Sequence, residues 1–167
     1  MEPYTLLLTL HNWVRLVIVV TGLWALFAAV SGMQSRRPLT SRGPFTAFMG
    51  SIHLQVLLGV ILFAVMGMNG NAPFPDGPRP SFGWEHLGLG ILAAVFAMLA
   101  GRASKPLPPR TGAAPQPLAG NAGAVAAAQP DPADRRQWIS VLTWVIAAWA
   151  CILLMMPWTR PMLRMFS

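Results

Sequence analysis

Acidic residues are scarce: the 167-residue chain has only five, Glu2, Asp76, Glu85, Asp131 and Asp134, and none falls in the middle of an apolar segment. A proton relay or an ion-coupled transport path needs ionisable groups along its length, so that class of function has nothing to run on. Cysteine occurs once, as Cys151, inside an apolar run. A lone cysteine excludes an intramolecular disulfide and reads as a small core residue. The chain also lacks a glycine-rich phosphate loop, a nucleophile with a base at useful spacing, and the paired interrupted helices of a transporter. No catalytic residues and no independent enzymatic activity are expected.

What the sequence has in quantity is hydrocarbon. Hydrophobic residues make up 54% and charged residues 10%, whereas a water-soluble surface takes roughly a quarter of residues charged. The apolar residues cluster into four runs, Leu16 to Val30 with its polar lead-in, Phe45 to Met68, His86 to Ala100 and Trp138 to Trp158. Each is near the roughly 20 residues a helix needs to cross a bilayer. The expected fold is all-α, an integral membrane four-helix transmembrane bundle, with spans over about 11–32, 46–68, 85–102 and 137–158. The first run lacks a positive leader and a small-residue cleavage pattern, so it is expected to remain as a helix rather than serve as a removable signal.

Orientation follows from lysine and arginine. Arg36, Arg37 and Arg42 lie between spans one and two, and Arg102, Lys105, Arg110, Arg135 and Arg136 between spans three and four; the other side has Arg79, Arg160 and Arg164. The bias puts loops 33–45 and 103–136 in the cytoplasm and both termini outside, periplasmic for a bacterial inner membrane. The net charge of +7 therefore reads as topology signal and anionic-lipid contact, with no nucleic acid partner. Segment 103–136 is rich in alanine, proline and glycine and reads as a linker. Trp13, Trp84, Trp138 and Trp158 fall at span ends, as an interfacial aromatic belt would. The ten methionines are scattered and read as gap fillers.

Three histidines remain. His11 opens span one, His86 opens span three, and both then lie at similar depth near the outer face, with His53 far from them in span two. Below His11 one helical face continues through Arg15, Ile18, Gly22, Ala25 and Ala29; below His86 it continues through Gly90, Ala93, Ala97 and Gly101. Small residues on both faces let two helices approach closely, so span one is expected beside span three, or let a flat porphyrin lie between them with histidine as axial ligand. In the cofactor reading, His11 and His86 ligate a b-type haem or another tetrapyrrole and Arg15 neutralises a propionate. In the cofactor-free reading, Arg15 pairs with Glu85 across spans one and three. A zinc or copper ion on His11, Glu85 and His86 lacks supporting residues legible in the sequence. Gln55, on a different face from His53, reads as a donor to a headgroup or a quinone carbonyl, or as a contact between helices.

LHNWVR in span one, SIHLQVLLGVILF in span two and WEHLGLGILAA in span three together resemble a group of small bacterial four-helix membrane proteins often labelled cytochrome b-like. The resemblance covers about the first 105 residues, with Asn12 standing where a serine is usual. It implies a helical bundle with His11, His53 and His86 as the functional positions. Two functions are carried forward. One is an accessory subunit of a photosynthetic or respiratory electron-transfer complex, packing helices, lipid or pigment against larger membrane subunits. The other is a b-type cytochrome passing electrons through a haem on His11 and His86.

Overall fold

A computed structural model describes residues 3–35, 38–68, 81–107 and 132–156. They form four helices, α1 (Pro3–Ser35), α2 (Gly43–Met68), α3 (Phe82–Ala103) and α4 (Pro132–Met155). By length and composition all four can cross a membrane. The helices run longer than their apolar cores. At 33 residues α1 is about 50 Å long, well over the roughly 30 Å of hydrocarbon, so His11 lies two turns inside the helix rather than at its start. The segment expected as linker up to residue 136 is also shorter. Pro132 opens α4 and Asp134 sits in its first turn, favourable choices for a helix start that draw PADRR into the helix. Residues 108–131, the outer loop 69–80 and Trp158 lie outside the described residues.

Each helix packs against its two neighbours in a ring, α1 on α2, α2 on α3, α3 on α4 and α4 on α1. Paired positions show the neighbours to be antiparallel: His11 lies by Gly59, Gly101 by Met49, and Gly32 by Trp138. The expectation that span one lies beside span three is corrected here, because α1 and α3 stand on a diagonal. The reason lies in what fills their small-residue faces. A Cβ at Gly22 would come within 2.7 Å of Trp149 and 2.8 Å of Phe48, and a Cβ at Gly32 would fall inside the Trp138 indole. Large rings from α2 and α4 occupy the notches that α1 offers, while on α3 Gly101 meets Met49 and Gly90 meets Val56 and Met155. Phe45 and Trp138 lie 6.3 Å apart and Phe48 stacks on Trp149 at 6.2 Å, while Ala25, Ala29, Ala93 and Ala97 are buried beneath them. This is small-to-large packing of the kind that holds helices together where lipid offers no hydrophobic drive.

Trp138 is consequently a core residue, 6% exposed, and not a belt tryptophan; Trp13 and Trp84 do face outward. The exposed face of α1 is apolar from Leu6 to Phe27, with Val20 67% and Phe27 72% exposed, a surface that lipid tails can cover. One interhelical hydrogen bond crosses the middle of α1 and α2, between the hydroxyls of Thr21 and Ser51 at 2.9 Å. At the end of the bundle away from the histidine pair, carbonyls of the last turn of α3 are satisfied from both sides. Arg42 donates to Gly101 O at 3.1 Å and Gln137 to Ala103 O at 2.9 Å.

Candidate functional site

At the opposite end, the aromatic filling gives way to polar groups. His11 and Arg15 project inward from α1, Gln55 and Gly59 share a face of α2 one turn apart, His86 and Gly90 do the same on α3, and Ile152 and Met155 close the space from α4. The two histidine rings meet across the diagonal, 6.4 Å between centroids with planes inclined at 46°. Equal depth was legible from the helix starts, and the structure adds that the two rings reach across the bundle interior.

The imidazoles are held differently. Nδ1 of His86 lies 3.1 Å from the carbonyl oxygen of Met155, at the last residue of α4, where backbone carbonyls have no partner within the helix. A carbonyl only accepts, so Nδ1 carries the hydrogen and Nε2 is the lone-pair nitrogen, the arrangement in which histidine usually binds a metal. The Phe82 ring sits beside His86 at 5.7 Å. The His11 ring lies against Gly59, where a Cβ would stand 3.4 Å from Cε1. Among the described residues, Nδ1 of His11 is buried without a hydrogen-bond partner, and so is Oε1 of Gln55. Such atoms carry a desolvation cost of about 1–3 kcal/mol until something pairs with them.

Arg15 does not pair with Glu85. Its guanidinium donates to Asn12 Oδ1, one turn back on α1, and Glu85 accepts from the Ser81 hydroxyl at 2.6 Å. The reason is geometric, since Glu85 belongs to the first turn of α3 and turns towards the start of its own helix, while Arg15 points into the bundle beside His86 and Gln55. His53 stands apart from the pair. It is exposed on the outer surface of α2 and donates from Nδ1 to Met49 O at 2.7 Å. Cys151 is a buried core residue. Among the described residues no three His, Cys, Asp or Glu side chains converge as a metal site.

Two small cavities adjoin at the pair, each of about 30 Å³. Both are lined by Gln55, His86, Ile18, Ile152 and Met155; His11 and Gly59 complete one, Arg15 and Val19 the other. Each holds one water-sized molecule. Two imidazoles bound to opposite sides of a single metal ion, through bonds of about 2 Å, have ring centroids about 6 Å apart, so the spacing suits a shared ion. A macrocycle around that ion needs more room than the cavities give. The room must come from Val56, Leu87, Ile152 and Met155 turning aside, since Gly59 and Gly90 already keep the backbone clear. By spacing the two imidazoles suit one shared metal ion and Arg15 supplies a cation for a carboxylate, but the cavities as they stand do not hold a macrocycle.

Gln55 was legible only as a polar oddity in SIHLQVLLG. Its position three residues after Ile52 and one turn before Gly59 places it on the interior face. The Met155 carbonyl had no sequence signal, because a backbone group at a helix end is available whatever its side chain. Comparison of the chain with protein-family models, with curated proteins and with solved structures finds no match.

Proposed function

We propose that this chain is a small multi-pass subunit of a respiratory or photosynthetic electron-transfer assembly in a bacterial inner membrane, and that it holds a b-type haem between His11 and His86. The observation that carries the reading is the meeting of two imidazoles from diagonal helices at 6.4 Å in the bundle interior. Bound there, a haem would supply a one-electron redox centre. His86 is oriented by the Met155 carbonyl. Arg15 would offer its guanidinium to a propionate, and the apolar side chains of Ile18, Val56, Leu87 and Ile152 line the space. The same four helices offer lipid and larger membrane subunits a continuous apolar surface.

The reading is tested on the gently solubilised chain with whatever accompanies it. A dithionite-reduced minus oxidised spectrum should show a b-type band, the His11→Ala/His86→Ala double variant should lack it, and His53→Ala should keep it in full. A spectrum identical in wild type and double variant would leave a purely structural subunit. Orientation is tested separately. Periplasm-dependent reporters fused at the two termini should be active and one inserted in 108–131 silent, as the positive charges require; the opposite pattern inverts the topology.

A further inference from the structure

His53 takes no part in the histidine pair, and its ring is exposed on the outside of α2. Along the helix axis it lies about 15 Å from the start of α2 and about 22 Å from its end. From that depth a side chain as short as histidine cannot bring its ring to either headgroup layer, so the imidazole stands in hydrocarbon unless protein covers it. Its Nδ1 donates to Met49 O at 2.7 Å, which leaves Nε2 of the neutral ring presenting a lone pair. Among the described residues nothing donates to that nitrogen, and lipid tails have no donor to offer. A lone acceptor there carries a desolvation cost that a lipid-facing leucine would not.

Beside the ring the helix surface is open. A Cβ at Gly50, one turn before His53, would meet nothing within 4 Å, and Leu54, Leu57, Val60 and Ile61 continue the exposed strip towards the end that holds the histidine pair. A symmetric dimer through this strip does not supply the donor. It would set lone pair against lone pair, and Thr46, two turns before His53 on the same side, directs its hydroxyl to Arg42 O at 3.1 Å and Gly43 O at 3.0 Å.

We propose that this strip of α2 docks a transmembrane helix of a different subunit, which sets a large side chain into the notch at Gly50 and donates a hydrogen bond from a hydroxyl, amide or indole to Nε2 of His53. This deepens the subunit half of the reading above and needs no haem. The contact is of the kind by which membrane helices hold one another, close approach at a small residue joined to one polar contact.

The test is photo-crosslinking in intact membranes from p-benzoylphenylalanine placed at Leu54 of the full chain, with the same probe at Phe27 on the outer face of α1 for comparison. Leu54 should give one adduct with a membrane polypeptide other than this chain. His53→Leu should lower its yield about tenfold, since the partner's donor is left without an acceptor. Gly50→Phe should lower it as far by filling the notch, and His53→Gln, which keeps an acceptor, should restore most of it. Neither replaced side chain is packed inside the bundle, so both variants should keep the unfolding temperature of the isolated chain, which separates lost docking from misfolding. The nitrogen-15 resonance of His53 Nε2, assigned by its loss in His53→Leu, should sit where a hydrogen-bonded acceptor does in membranes and move when the partner is stripped away. An adduct of twice this chain's mass, adducts on lipid alone, or a yield unchanged in both His53→Leu and Gly50→Phe overturns the inference. A partner captured from Phe27 and not from Leu54 overturns it and leaves the subunit reading standing. No protein adduct from either position, with the chain isolated alone, removes both. Should the variants fail to fold, the wild-type adduct and nitrogen resonance still decide.

Discussion

Replacing Gly32 with leucine is expected to destabilise the bundle by about 3 kcal/mol or more, the upper end of what overpacking a filled interior costs. At this position a bare Cβ already falls inside the Trp138 indole, meeting three of its carbon atoms. Trp138 cannot retreat easily, because it is buried and packed on Phe45 at 6.3 Å from the other side. The leucine must therefore push α1 away from α4 along their contact. Thermal unfolding in detergent reads the loss, and Trp138→Ala in the same chain should recover part of it, since the clash is with that ring. Gly50→Ala and Gly88→Ala are the controls: a Cβ at either meets nothing within 4 Å, so each should be neutral or gain a few tenths of a kcal/mol from helix propensity. If Gly32→Leu behaves like these controls, α1 and α4 are not packed as described.

The same notches show how far the sequence could be read. Four apolar runs of spanning length announce four helices, since length and hydropathy are local properties. Which helices are neighbours is not local. The glycine and alanine stripes under His11 and His86 are equally compatible with α1 lying on α3 and with both receiving side chains from α2 and α4. The choice depends on Phe48, Trp138 and Trp149, whose directions follow from the whole bundle. Trp138 illustrates the point: at a span end it reads as an interfacial anchor, yet it fills the notch at Gly32. The histidines divide in the same way. His11 and His86 come together because each lies near the start of its helix and α1 and α3, both antiparallel to α2, run the same way, a fact that follows from chain order. His53 faces outward and Gln55, two residues on, faces inward, and only the rotation of α2 within the bundle decides which of them joins the site.

Arg15→Leu is expected to move two quantities in opposite directions. Among the described residues the guanidinium hydrogen-bonds to Asn12, a neutral acceptor, so its charge is half-buried in the bundle without an anion. An arginine well inside a membrane helix costs about 2.5–3.5 kcal/mol at the centre and less towards the ends. Removing it should therefore stabilise the cofactor-free bundle by about 1 kcal/mol. In the haem-loaded protein the same arginine has a propionate to pair with, and a hydrogen bond to a charged group is worth about 1.5–3 kcal/mol. Haem should then pass to a scavenger at least about tenfold faster from Arg15→Leu than from the wild type. Both are read on one preparation, unfolding of the haem-free chain and the rate of haem transfer from the loaded one. A leucine variant that destabilises the haem-free bundle and releases haem no faster would make Arg15 a strut braced on Asn12. It would then have no part in holding the cofactor.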